Sequence, residues 1–277
     1  MRHIVLLLFF TFSFPAFASE KESAYDRVMK TRTIRCGYNY YEPVIWRDNE
    51  TSELKGIYVE YMEALGKATG LKIEWAQEIG WADVPTALQA DKVDAFCAGT
   101  WADAKRGVQT AFTKPVFYNA IEVYAREGDV RFDKDLNLIN DPSVTIVTLD
   151  GAQVADIAAQ DFPKANTHAL PSMGTDAEQL LNVVNGKGDI TFTNHGPALS
   201  YMKANPDKIR RVAPNKPLRV FSVTTAVNIK EQELLTVLNT ATDQLHQGGM
   251  IDKILDKYEK DYPGAFTRVA KPYELKK

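Results

Sequence analysis

Strand-like and helix-like segments alternate along this chain, and the alternation runs through twice. Thr33 to Tyr38 reads as a strand. Ile57, Tyr61, Ala64, Leu65 and Ala68 recur at helical spacing, with Gly70 placed to stop the helix. Lys72 to Ala76 is a second strand, Val84 to Ala90 a helix and Val93 to Ala98 a third strand. A βαβαβ run of this kind dictates a parallel sheet with helices on its faces. Val144 to Leu149 then starts the pattern again, through a helix at Ala152 to Ala159, a strand at Thr167 to Leu170, a helix at Thr175 to Asn185 and a strand at Asp189 to Thr193. The halves share a phrase in register: TALQADKVDAFCAG and LLNVVNGKGDITFTN each give an amphipathic helix, a lysine-bearing turn, an aspartate and a buried strand. Val220 to Val227 is a further strand. Two apolar stripes follow, Leu234 to Leu245 and Met250 to Tyr258, separated by Gly248-Gly249, and both need a sheet to cover. AIEVYAREGD, a strand running into a charged turn, marks the boundary between the halves.

The N-terminus sets the compartment. Arg2 and His3 precede an uncharged apolar run, Ile4 to Phe14, which Pro15 breaks before Ala16-Phe17-Ala18. That is the order of a secretory signal peptide, residues 1–18, and the run is too short to span a bilayer. No cysteine follows closely enough for a lipid anchor, so the mature chain is expected free in a periplasm. A formal net charge of −3 gives no electrostatic footprint for nucleic acid, and no basic cluster marks a membrane surface. The two cysteines, Cys36 and Cys97, lie in apparent neighbouring strands. An oxidising compartment permits one disulfide between them, and two buried small apolar residues remain the alternative.

Several phrases, in order and correctly spaced, carry a resemblance to the amino-acid-binding family of periplasmic solute-binding proteins (extracellular solute-binding family 3). They are TIRCGYNYYEPVIW, LKGIYVEYMEALGKATGLKIEW, WADVPTALQADKVDAFCAGTWADAKRGVQTAFTKPVFY and HQGGMIDKILDKYE. The third is similar to the family's helix ending in L-Q-S-G-K-x-D, its T-x-E-R and its D-F-S-x-P-Y. The resemblance implies a type II periplasmic binding fold: two Rossmann-like α/β lobes joined by two crossing strands, with ligand held in the cleft between them. It implies a first lobe of residues 25–121 plus 229–277 and a second of residues 122–228. A monomer serving an inner-membrane ABC permease follows, with a small carboxylate-bearing ligand and no cofactor.

It also implies the binding residues. Arg106 matches the arginine of T-x-E-R, and a planar guanidinium offers a carboxylate two parallel donors. Tyr41 and Trp81 match the aromatics that sandwich the ligand. Gly99 follows a strand at a point where a backbone N–H can face the cleft, and Trp101 stands where the family has Ser or Thr. Departures from the family concern the ligand's amine. Asn194 falls where the family has an ammonium-binding aspartate, and a neutral amide accepts a hydrogen bond without bringing charge. Gly151-Ala152-Gln153 replaces G-T-T or G-S-T, Asn39 replaces a loop aspartate, and Ile57-Tyr58 replaces F-D. A ligand without a free primary ammonium therefore rivals an ordinary amino acid.

Enzyme and sensor readings are weighed beside this one. Dehydratases on the same fold need an acid in the cleft, and TNHGPALS offers His195 but no carboxylate. There is no GxSxG elbow or phosphate loop, and the histidines lack metal spacing. The same lobes in a receptor would present their closed state to a sensor. The signal sequence gives a direct expectation: intact mass of protein recovered from the periplasm begins at Ser19, whereas retention of Met1 there would contradict cleavage after Ala18.

Overall fold

The computed structural model describes residues 21–48, 50–214 and 216–271. The signal segment and its cleavage site lie outside the described residues. Helix α1 (Ala24–Thr31) opens the chain, capped by the Ser23 hydroxyl accepting from Asp26 N. The first βαβαβ run follows. It comprises β1 (Thr33–Tyr38), a small hairpin of β2 (Trp46–Arg47) and β3 (Leu54–Lys55), α2 (Ile57–Thr69), β4 (Lys72–Glu78), α3 (Val84–Gln89) and β5 (Ala95–Trp101). Gly70 ends α2 at a left-handed φ of 69°, the role its position in the sequence gave it. A single turn, α4 (Ala104–Gly107), and β6 (Thr110–Phe112) lead to the long strand β7 (Phe117–Arg126). The second run is β8 (Thr145–Leu149), α5 (Gln153–Asp161), β9 (Asn166–Leu170), α6 (Asp176–Val184) and β10 (Ile190–Asn194). α7 (His195–Ala204) and β11 (Ile209–Val212) extend it, β12 (Arg219–Asn228) returns, and α8 (Gln232–Gln247) and α9 (Met250–Glu259) follow.

The main sheet runs β4-β1-β5-β12-β7-β10-β8-β9. β4, β1 and β5 are mutually parallel, as are β9, β8 and β10. β12 runs antiparallel to β5 and β7 antiparallel to β10, so each half repeats one plan. β7 and β12 pair antiparallel with each other, Phe117 opposite Val223 and Ile121 opposite Arg219, and carry the chain between the two lobes. The buried cores separate accordingly. Ile34, Met62, Leu65, Leu238 and Leu255 belong to one; Ile121, Ile146, Ile157 and Phe192 belong to the other. α8 and α9 pack on α2, so the apolar stripes at the end of the chain cover the first half of the sheet. Trp81 and Trp101 touch both cores. Among the described residues, no helix is long and apolar enough to cross a membrane.

Two details explain the repeated phrase. Asp94 precedes β5 and accepts from Arg35 N of β1 at 2.8 Å; Asp189 precedes β10 and accepts from Thr145 N of β8 at 2.8 Å. Each aspartate thus fastens the third strand of its run to the first. The question left open at Cys36 and Cys97 is also answered, since the two are joined by a disulfide between β1 and β5.

The aspartates differ in burial. Asp94 is 2 % exposed and pairs with both Arg35 (2.9 Å) and Arg27, while the Asp189 side chain is 20 % exposed beside Arg126 and Arg131. Removing one partner from a buried ion pair costs about 3–5 kcal/mol. Asp94→Ala is therefore expected to lower the unfolding free energy by about that amount, and Asp189→Ala by clearly less. Urea denaturation of both variants checks the order, and equal losses would contradict it.

Candidate functional site

The candidate site residues lie at or just beyond the C-terminal ends of parallel strands. Tyr41 comes after β1, Trp81 after β4 and Trp101 ends β5; Gln153 comes after β8 and Asn194 ends β10. Because β7 and β12 cross antiparallel between the half-sheets, these ends face one another. Ligands of open α/β sheets collect at such ends. A cavity there is walled from the first lobe by Tyr41, Trp81, Gly99, Thr100, Trp101 and Arg106. The second lobe contributes Leu149, Ala152, Gln153, Val154, Asp176, Gln179 and Asn194.

The first wall is aromatic. Tyr41 stands edge-to-face with Trp81 (centroids 6.1 Å apart) and with Trp101 (6.5 Å). Trp101 in turn stacks on Phe221 of the crossing strand β12 at 5.2 Å. Tyr41 Oη lies 2.6 Å from the carboxamide of Asn119 on β7, which fixes the ring. Burial, followed by the nearby charge of Asp176, pushes the Tyr41 hydroxyl far above its ordinary pKa and keeps it neutral. Gly99 sits where the β5–β12 register slips, at a φ of +74°. A Cβ there would stand 2.8–2.9 Å from Val44, Tyr58 and Val223. The backbone bulges into the wall at a place only glycine fits.

Arg106 sits on the single turn α4, whose cap Asp103 accepts from Arg106 N at 2.8 Å. Burial pulls its guanidinium below the ordinary value, opposed by Asp103. Nη1 donates to Thr100 Oγ1 at 3.1 Å, and Nη2 donates to Trp81 O at 3.3 Å and, across the cleft, to Gly151 O at 2.8 Å. With both Nη2 hydrogens committed, Arg106 has a remaining Nη1 hydrogen to offer an incoming acceptor. The paired fork of the sequence-based expectation is not open in this arrangement. Trp81 N to Ser172 O (3.3 Å) and Lys105 Nζ to Asp156 Oδ1 (3.1 Å) also join the lobes, so the cleft is closed.

The second wall departs further from the sequence reading. Gln153 opens α5, where the cap residue Ala152 supplies no side-chain hydrogen bond, so the uncapped N-terminus of the helix borders the cavity. Asn194 borders it too, but its Oδ1 accepts from Gly196 N at 3.2 Å as the cap of α7. The acceptor of the amide is thus engaged, and its donor, Nδ2, is buried without a partner in the protein. Asn39 does not line the cavity. It is buried behind the wall and accepts from Tyr40 N at 2.8 Å. His195 does not line it either. Its Nδ1 meets Tyr124 Oη at 3.0 Å, within a cluster with Glu122 and Arg211, and burial lowers its pKa.

The acid that TNHGPALS lacked is Asp176. Neither it nor Gln179 and Thr100 was singled out from the sequence. The available signal was the capping box Thr175-x-x-Glu178, which makes Asp176 the first residue of a helix that follows a parallel strand. Thr193 donates from Oγ1 to Asp176 Oδ1, and burial raises its carboxyl above the usual range. Among the described residues, no group of three or more His, Cys, Asp or Glu is placed to hold a metal.

The family model of the bacterial extracellular solute-binding proteins, family 3, matches residues 34–261. The chain belongs to that family. It is 25% identical over 247 residues to a probable amino-acid ABC transporter-binding protein of Haemophilus influenzae, spanning 87% of this chain and 90% of that one. It is also 25% identical over 207 residues to a probable histidine-binding protein of Neisseria gonorrhoeae, spanning 74% and 75% of the two chains. Among solved structures, the ancestral amino acid-binding protein AncCDT-1, a precursor of cyclohexadienyl dehydratase, superposes with a TM-score of 0.74 at 25% identity. That match covers 87% of this chain and all of that one. Solute binding is therefore the role of this extracellular family member.

Closure needs Gly151. Its φ is +68°, and a Cβ would stand 2.4 Å from Ala82 Cβ across the cleft. Gly151→Val is expected to hold the lobes apart and weaken ligand binding by about tenfold or more. Calorimetry together with small-angle scattering checks this: the variant's radius of gyration should stay larger than that of the wild type with ligand present.

Proposed function

We propose that this protein is the periplasmic binding component of an ABC-type importer for a small carboxylate-bearing metabolite, an amino acid or a close analogue. The observation that carries the reading is that Arg106 and the uncapped N-terminus of α5 border one cavity from opposite lobes. A guanidinium and a helix N-terminus both favour an anion, and their separate origins make the anion a reason for the lobes to close. Gln153 extends the same end of α5, while Tyr41, Trp81 and Trp101 pack on the apolar part of the ligand. On this reading the lobes are residues 25–121 plus 229–277 and residues 122–228, and the chain works as a monomer with an inner-membrane permease. The relative named for an amino-acid ABC transporter supports that partner.

A dehydratase reading gains from Asp176, which supplies the cleft acid such enzymes need. The two separate by incubation: a transported ligand is recovered chemically unchanged by mass spectrometry. Binding itself is tested by calorimetry against the common L-amino acids. Arg106→Ala is expected to weaken the best ligand by about 2–5 kcal/mol. Unchanged affinity would remove Arg106 from the site.

A further inference from the structure

Arg106 and Asp176 are the charged residues among those described that line the cavity, one on each lobe. A plain organic acid satisfies the first and leaves the second, itself a carboxyl, without a complementary partner. A group that carries positive charge beside its carboxylate satisfies both. Asn194 is not placed to take that charge. Its oxygen is held by Gly196 N, and its buried Nδ2, which has no partner in the protein, is a donor. An ammonium has only donors to offer and cannot bond to another.

Asp176 has what Asn194 lacks. Thr193 donates to one carboxylate oxygen and leaves the other free to accept, while Tyr41 lines the same cavity from the opposite lobe. We infer that Asp176, at the start of α6, receives the positively charged nitrogen of the ligand, and that Asn194 Nδ2 donates to one of its oxygens. The cation site has thus moved from the end of β10 to the helix that follows β9. This rests on the reading of the cleft as a site for amino-acid-like ligands and narrows it to zwitterions that keep N–H groups on their cation. Burial adds a reason: an ionised carboxyl in this setting is costly alone and gains more from a cationic partner than an exposed one would.

The test pairs a change in the protein with a change in the ligand. Wild type and Asp176→Asn are titrated calorimetrically with the best-binding L-amino acid and with its 2-hydroxy acid analogue, in which a hydroxyl replaces the ammonium. Wild type is expected to prefer the amino acid by about a hundredfold, and Asp176→Asn to lose most of that preference. Asn194→Asp, which keeps the helix cap but removes the donor, is expected to weaken binding. Thr193→Val keeps the carboxylate and should weaken the amino acid severalfold only, which guards against a folding defect at Asp176. Full preference retained in Asp176→Asn, or tighter amino-acid binding in Asn194→Asp, overturns the assignment while leaving the cleft reading intact. Failure of wild type to bind any amino acid or hydroxy acid removes the cleft reading and the assignment with it.

Discussion

The antiparallel pairing of β7 with β12 is the constraint on which the rest depends. Each of these strands also flanks a parallel triplet, β12 beside β5 and β7 beside β10. Crossing in opposite directions at the centre, they turn the C-terminal ends of both triplets toward one gap. Residues as distant in sequence as Tyr41 and Asn194 thereby come to share a cavity. No loop had to be specially designed to bring them together. The strand ends deliver them, and the Asp94 and Asp189 anchors hold each third strand to its first at the far end.

Much of this was legible. Hydrophobic periodicity located the strands and helices of both runs to within a few residues, because buried parallel strands and amphipathic helices leave strong patterns. β1 falls where the apolar pattern put it, at Thr33–Tyr38. Arg106 was not legible from its surroundings, since ADAKRG looks like a solvated turn; only the family resemblance drew it out. Asn39 was placed at the correct strand end, but position along a strand does not say whether a side chain turns to a cleft or to its own backbone. Its oxygen satisfies Tyr40 N instead.

Asn194 and Asp176 fail in sequence for one shared reason: both are governed by helix starts. Once α7 begins at His195, Asn194 becomes its cap and the direction of its amide is decided. HGPALS conceals that start, because Gly and Pro are rarely read as helix, although Pro costs little in a first turn. Thr175 and Glu178 do reveal where α6 begins, but a capping box fixes a start and not the direction it faces. That direction comes from the sheet, through β9 and the turn that follows it.

The bonds between the lobes are made by the protein's own groups. Arg106 reaches Gly151 O, Trp81 N reaches Ser172 O, and Lys105 reaches Asp156. They lower the free energy of the closed form whether or not solute is present, and so shift the open–closed balance of an empty molecule toward closure. Any partner that recognises only the closed outline would meet some empty molecules in that form. The strength of these few contacts therefore limits how sharply the filled protein can be told from the empty one.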